Sequence, residues 1–240
     1  MSKTLLITGG HGAFAKKLQQ HNINNKLICL SKQEMDVTSI DEVDKFVKSI
    51  KPDILLHVGA LTRPMSIHEK NPDKSIKNNI IGTSNVVLIC MKYNIKIIYI
   101  STDFIYPGIE GNYSEKSSIY PVNKYAWSKL GGECAVRLYD NSLILRVAMA
   151  QVPYPHSKAL VDMKKSLLPN DDVAKIIFKL LEQKGTINIG GEPDTVYNHV
   201  KKINPNIGKI SLNDINDTNM PKDITMDITK MKKILNNGYK

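Results

Sequence analysis

Thr4-Leu5-Leu6-Ile7-Thr8-Gly9-Gly10-His11-Gly12-Ala13-Phe14-Ala15 decides how this chain folds. A short apolar run ends at a glycine-rich turn, and an amphipathic stretch follows from Ala13 to His21. The order is strand, tight turn, helix, which is how a βαβ unit opens. Glycine lets such a turn take positive φ and lets backbone N–H groups approach a pyrophosphate, which the helix N-terminus then attracts. Gly9, Gly10 and Gly12 therefore read as a dinucleotide cradle, with Ala15 at the position where a small residue permits close helix packing. Any tight strand-to-helix turn also uses glycine, so the position after the first strand carries the reading. His11 sits in the turn, either near the phosphates or as a solvated histidine, and Ala13 and Phe14 open the helix.

Outward from this turn, short apolar runs alternate with longer amphipathic ones. Residues 5–7, 26–30, 53–57, 95–100 and 143–147 are strand candidates. Helices are expected over 39–50, 78–93 and 121–139, the first opened by Ser39 and Glu42 as a capping box and closed by Lys51-Pro52. This alternation predicts an α/β fold, a doubly wound parallel sheet of Rossmann type. After Val147 the pattern breaks at Val152-Pro153-Tyr154-Pro155. A helix capped by Asn170-Asp171-Asp172 runs to about Gln183, a strand and turn follow at 186–191, and a lysine-rich helix closes the chain near 229–235. We expect a dinucleotide-binding domain over 1–150 and a reduced substrate lobe over 151–240, interleaved with it rather than independent.

The 240 residues suffice for one such domain with an appended lobe. A net charge of +10 raises the question of nucleic acid. The lysines are scattered, and 4 Phe with 1 Trp leave little to stack bases, so no nucleic-acid partner is expected. The same positive field favours a nucleotide-diphosphate ligand. Cys29, Cys90 and Cys134 lack metal-ligand spacing and read as buried free thiols, and no metal site is expected. No segment approaches a membrane span, and the N-terminal apolar run is too short for a signal sequence, so a cytoplasmic protein is expected.

At the end of the second strand, sheets that prefer NADH carry an acidic residue for the ribose 2′-hydroxyl. Here the chain offers Ser31-Lys32, a hydroxyl and a cation that suit a 2′-phosphate; NADPH is expected over NADH. Tyr125 and Lys129 are four apart on a helix and share a face. A neighbouring ammonium stabilises a phenolate and brings a tyrosine toward the working range of pH. Thr102, at the end of the fourth strand, lies where ligands bind in doubly wound sheets and can donate to a carbonyl oxygen. Ser101-Thr102-Asp103 is also an ordinary turn sequence.

With these residues placed, the chain resembles the extended short-chain dehydrogenase/reductases, and within them the dTDP-4-dehydrorhamnose reductase branch. The resemblance rests on the glycine string, on Met35-Asp36-Val37-Thr38, on the stretch from Ser101 to Gly108, on Tyr120-Pro121-Val122-Asn123-Lys124-Tyr125 with Lys129-Leu130-Gly131-Gly132-Glu133, and on Leu143-Ile144-Leu145-Arg146. It implies that Thr102, Tyr125 and Lys129 are catalytic. It further implies that Asp36 and Val37 lie at the adenine, that Gly59, Ala60 and Leu61 line the cofactor, and that Asn79 braces the site. Thr62, Arg63, Asp103 and Phe104 would face the nicotinamide ribose or the substrate. Related epimerase-reductases place a cysteine after the catalytic hydroxyl residue; Asp103 stands there instead, so reduction alone is expected.

What the resemblance implies is an NADPH-dependent reductase of a 4-keto-6-deoxy nucleotide sugar, in deoxysugar biosynthesis, compatible with a homodimer. One departure bears on the substrate: only about 20 residues separate Val152 from Asp171, where the branch carries a longer segment that clamps the sugar nucleotide. The shortened lobe keeps two alternatives open. One is a non-catalytic dinucleotide-binding regulatory subunit like the methionine adenosyltransferase β subunit; the other is an epimerase or dehydratase of the same superfamily.

Overall fold

The computed structural model describes residues 2–215 and 219–237. Six parallel strands form the central sheet: β1 (Thr4–Thr8), β2 (Lys26–Leu30), β3 (Ile54–His57), β4 (Lys96–Thr102), β5 (Ser142–Val147) and β6 (Gly185–Ile189). Their spatial order is β2-β1-β3-β4-β5-β6. β3, β4 and β5 are buried at every residue, as strands covered on both faces should be. The strand order reverses between β1 and β3, and ligands bind outside the carboxyl ends of strands at such a point.

Helices α1 (Ala13–His21), α2 (Ile40–Ile50), α3 (Gly82–Lys92), α4 (Lys124–Arg137) and α5 (Asn170–Lys179) cover the sheet. Two apolar cores result. The larger holds Leu5, Ile7, Leu56, Ile98, Leu145 and Ile187 with side chains of the C-terminal segment; the second holds Leu6, Val43, Leu55, Val86, Ile97 and Ile144. Alternate residues of β1 thus enter opposite cores, as the two-residue period of a strand requires.

The sixth strand is the main departure from the five-strand reading. Residues 186–189, read as part of the small lobe, pair in parallel with β5 and complete the sheet. α5 likewise returns to the first half, where Asp171 meets His21 Nε2 at 2.8 Å and Lys17 Nζ at 3.0 Å. It begins at Asn170 without a side-chain cap and ends at Lys179, short of Gln183, so Asn170 is a buried first-turn residue and not a cap. What remains irregular is held by two-residue and three-residue ladders: Met149–Ala150 with Leu168–Pro169, Lys158–Leu160 with Gly208–Ile210, and Lys164–Lys165 with Asp194–Thr195.

Local chemistry explains the other boundaries. Ser39 caps α2 through Glu42 N, yet the Glu42 carboxylate accepts from Asp36 N at 2.7 Å and so leaves the capping box half made. The expected helix over 78–93 begins earlier and as something else: helical turns from Ser66 lead into a π-helical turn, Ile76–Ile81, before α3. A π-turn inserts one extra residue and turns its side chain aside, a device common at functional sites. Here it carries Asn79 inward. α4 starts at Lys124 because Asn123 Oδ1 accepts from Ala126 N at 2.9 Å. Of the three thiols, Cys90 is buried, Cys29 half-buried and Cys134 exposed; Cys134 corrects the expectation of burial, since it lies on a solvent-facing stripe of α4.

Candidate active site

The glycine turn closes against two neighbours. Gly9 has φ +63°, and a Cβ there would lie 2.7 Å from Gly59 Cα; a Cβ on Gly10 would lie 2.6 Å from the backbone of Cys29. Any side chain at Gly10 would drive β1 and β2 apart. Thr8 Oγ1 ties the two strand ends together, accepting from Gly59 N at 3.1 Å and pairing with His57 Nδ1 at 2.7 Å. His57 Nε2 meets Thr83 Oγ1 at 3.0 Å, and burial lowers its pKa to about 3. The imidazole is therefore a neutral bridge beneath the turn.

Gly12 is the N-cap of α1 and supplies no side chain to its first N–H groups. Those groups open onto a cleft of about 850 Å³. Its lining collects most of the residues singled out above: Gly9, His11, Gly12, Ala13, Phe14, Ser31, Lys32, Gly59 and Ala60 along one end, and Thr62, Arg63, Thr102, Asp103, Phe104, Tyr125 and Lys129 along the other. Gly10, Asp36, Val37, Leu61 and Asn79 are not part of that lining. Gly10 packs beneath the turn, Asp36 accepts from Thr38 N at 2.9 Å, and Val37 packs where a Cβ on Gly82 would be. Asn79 and Leu61 form one unit: Leu61 N donates to Asn79 Oδ1 at 2.7 Å, and Asn79 Nδ2 donates to Leu61 O at 2.9 Å and Ser128 Oγ at 2.8 Å. The loop after β3 is thereby pinned to α4 one turn from Tyr125.

At the end of β2 the cation and the hydroxyl have company. Lys32 Nζ donates to Asn78 Oδ1 at 2.9 Å and stands 3.7 Å from Asp36 Oδ2. Ser31 N donates to Glu34 Oε2 at 2.7 Å, and that same carboxylate stands 3.6 Å from His11 Nε2. Glu34 lies outside the cleft lining, and the sequence did not single it out. It lies four residues beyond the end of β2, in the turn that follows Ser31.

At the other end, Tyr125 is half-buried and lines the cleft with Thr102. Burial pushes its pKa up to about 12; the nearby Thr102 hydroxyl opposes that, the charge of Asp103 adds to it, and Arg63 opposes it. The rings of His68 and Phe104 stand 5.1 and 6.2 Å from that of Tyr125. Lys129 is buried, its Nζ 4.2 Å from the centre of the Tyr99 ring. Burial lowers its pKa to about 7, and Glu133 one turn along α4 opposes the fall. Asp103 is 1% exposed and turned toward Lys165, whose Nζ lies 3.0 Å from its Oδ2. Nothing in the sequence marked Lys165, because its strand is two residues long and its partner is distant in the chain. The rim also carries Gln151, Tyr154 and His156 from the shortened stretch; Gln151 Oε1 accepts from Arg63 at 3.2 Å.

A family model described as the RmlD substrate binding domain matches residues 3–183. The chain belongs to this family. Within the RmlD family it is 27% identical over 178 residues to a dTDP-4-dehydrorhamnose reductase of Aggregatibacter actinomycetemcomitans, covering 72% of this chain and 60% of that one. It is also 26% identical over 162 residues to the methionine adenosyltransferase 2 subunit beta of Xenopus laevis, covering 59% of this chain and 48% of that one. The chain thus spans between about half and three fifths of the length of these two relatives. A solved dTDP-4-dehydrorhamnose reductase from Bacillus anthracis, in complex with NADP, superposes with a TM-score of 0.85 at 24% identity, covering 97% of this RmlD-family chain and 92% of the other. That likeness establishes the shared Rossmann-like fold. No helix among the described residues is long and apolar enough to cross a membrane.

Proposed function

We propose that this RmlD-family chain is an NADPH-dependent reductase of a 4-keto-6-deoxy nucleotide sugar, with Thr102, Tyr125 and Lys129 as its catalytic set. The observation that carries the reading is that Thr102, Tyr125 and Lys129 together line one end of a cleft whose other end is an uncapped helix N-terminus under a glycine turn. The cradle fits a dinucleotide: Gly9 and Gly10 exclude any side chain, and the first N–H groups of α1 face the cleft without an internal acceptor. Gly9, Gly12 and Ala13 would hold the pyrophosphate, Lys32 a 2′-phosphate, and Lys129 the nicotinamide ribose. NADPH would supply the hydride.

The chain's own part is proton chemistry and orientation. Thr102 and Tyr125 converge on one carbonyl oxygen, and Tyr125 Oη gives it a proton as negative charge develops there. The Lys129 ammonium favours the resulting phenolate, and its own depressed pKa keeps it able to exchange protons near neutrality. Asn79 keeps the loop at Leu61 from drifting away from the nicotinamide end. Gln151, Tyr154 and His156 line the cleft where the longer clamp would stand. The cytoplasm is the compartment in which such a reductase meets its substrate.

Oxidation of NADPH across a panel of 4-keto-6-deoxy nucleotide sugars tests this. Tyr125→Phe is expected to lower turnover by about 10²–10⁴-fold, the range for general acid catalysis. Near-normal turnover in that variant would overturn the assignment. The likeness to a methionine adenosyltransferase subunit supports a second reading, a dinucleotide-binding regulatory subunit. NADPH binding without oxidation by any ketone of the panel would favour it.

A further inference from the structure

Lys129 is 4% exposed, and a buried ammonium ordinarily has a carboxylate beside it. The carboxylate of Glu133 is bonded to Arg146 instead, at 2.7 Å. Among the described residues no oxygen accepts a hydrogen bond from Lys129 Nζ; what stands against it is the Tyr99 ring, 4.2 Å from Nζ to ring centre. The negative face of an aromatic ring attracts a cation, most strongly where water is excluded. Tyr99 is wholly buried on β4, and its hydroxyl donates to Lys129 O at 3.0 Å. One side chain thus meets both ends of Lys129, its backbone carbonyl and its ammonium.

The neighbouring residues are shaped around that ring. A Cβ on Gly132 would lie 2.7 Å from Tyr99 Oη and 2.6 Å from Asn79 O. Glycine weakens a helix interior, and here it lets the phenol and the π-turn approach α4 closely. The ring of His57 lies 5.7 Å from that of Tyr99, centre to centre, with the planes 30° apart. Burial raises the pKa of the Tyr99 phenol well above the ordinary value, so it presents a neutral ring.

We propose that Tyr99 is the positioning residue for Lys129, holding the ammonium in place and charged with its ring face while its hydroxyl fixes the ring to α4. The role rests on the reductase reading above. A carboxylate in the place of the ring would neutralise the field of the ammonium at Tyr125. A ring face attracts the charge without cancelling it, and leaves Nζ donors for hydroxyl groups of a ligand in the cleft that Lys129 lines. The other ionisable groups nearby have their own partners or no charge: Asp103 pairs with Lys165, Arg63 donates to Gln151, His68 meets Ser75, and His57 is neutral. Tyr125 stands one turn back on α4. Without the ring face, burial should take the proton from Lys129 at a lower pH.

Titration of the Lys129 side chain reads this directly. In protein isotope-labelled at its lysine ε-carbons, the Lys129 resonance is the one lost in Lys129→Arg, and its shift follows the proton on Nζ with neither cofactor nor ketone present. In Tyr99→Leu the titration should move to lower pH by about one unit, the scale of a cation–π contact away from water. Tyr99→Phe keeps the face and should titrate with the wild type. A phenylalanine in place of Tyr99, fluorinated stepwise, loses its negative face with little change in shape and should move the titration down step by step. That series serves if Tyr99→Leu does not fold, and a purely structural role predicts no movement along it. A titration unmoved by the most fluorinated ring, or moved as far in Tyr99→Phe as in Tyr99→Leu, overturns the proposal. In turnover, the pH at which kcat/KM falls should move with the titration from variant to variant. A fall that stays in place while the titration moves overturns the role of Tyr99 in reduction. If the wild type reduces no ketone, the reductase reading fails, and the titrations still decide whether the ring holds the charge.

Discussion

Glu133 stands one helical turn beyond Lys129 on α4, yet its carboxylate is turned away, to Arg146 Nη2 at 2.7 Å. Glu133 Oε2 also accepts from Ser101 Oγ at 2.6 Å, and Oε1 from Arg137 at 3.0 Å. Arg146, wholly buried on β5, donates further to Tyr106 Oη at 2.9 Å. Two strands and the helix bearing Tyr125 are thereby joined by one ion pair. Burial opposes ionisation of Glu133, but the bonds from Arg146, Ser101 and Arg137 win and hold it below the usual carboxylate range.

Breaking this pair should cost stability and shift the site together. Arg146→Met removes the buried cation of Glu133 and leaves it only the half-exposed Arg137, and is expected to destabilise the fold by about 3 kcal/mol, measured by denaturant unfolding. Loss of less than about 1 kcal/mol would mean that the pair stabilises no more than an exposed one does.

Lys129 gives a pH prediction with a definite sign. Its pKa is lowered to about 7 by burial, so the ammonium that favours the phenolate is present below that pH and lost above it. Because kcat/KM reports groups of the free enzyme, it should fall as pH rises through about 7. Glu133 raises this pKa, so Glu133→Gln should move the fall to lower pH, and Lys129→Arg should abolish it. A profile flat from pH 6 to 9 would remove Lys129 from this role.

The end of β2 sets the cofactor prediction. Lys32 offers a cation, while Glu34 is held below its usual pKa by hydrogen bonds from the Ser31 side chain and backbone and stays ionised. Replacing Lys32 with Glu should weaken NADPH relative to NADH, and Glu34→Gln should strengthen it. A change of about tenfold is the scale expected for one charge at an exposed phosphate site. Unchanged discrimination in both variants, by equilibrium binding, would move 2′-phosphate recognition elsewhere.

How far the sequence disclosed this molecule follows from what each feature depends on. The glycine turn, β1 to β5 and the Tyr125–Lys129 spacing depend on residues close in the chain, and periodicity exposes those. β6 was misplaced into the lobe because an isolated strand after an irregular stretch carries no record of which sheet it will join. Lys165 and Glu34 were not marked for the same reason. One acquires its meaning from a carboxylate brought to it by a ladder of two residues, the other from a bend that folds its side chain back onto Ser31 N. Residues 78–81 of the π-turn read as ordinary helix, since inserting one residue changes the side-chain direction but not the composition.

His57 connects the cradle to acid stability. In the unfolded chain a histidine titrates near its ordinary pKa, about 6.5, whereas here burial lowers it to about 3. Between those values the unfolded state binds a proton that the native state refuses, so stability is full above about 6.5 and declines as pH falls toward 3. At about 1.4 kcal/mol per pH unit, the loss across that window amounts to several kcal/mol from this residue alone. Substitution by Gln keeps a donor and an acceptor between Thr8 and Thr83 but cannot take the proton. His57→Gln should therefore be less stable than the wild type near pH 8, through imperfect bonds, and should lose less stability on acidification to pH 4. Parallel stability curves for the two proteins, from urea unfolding across that range, would show that His57 is not the group that refuses the proton.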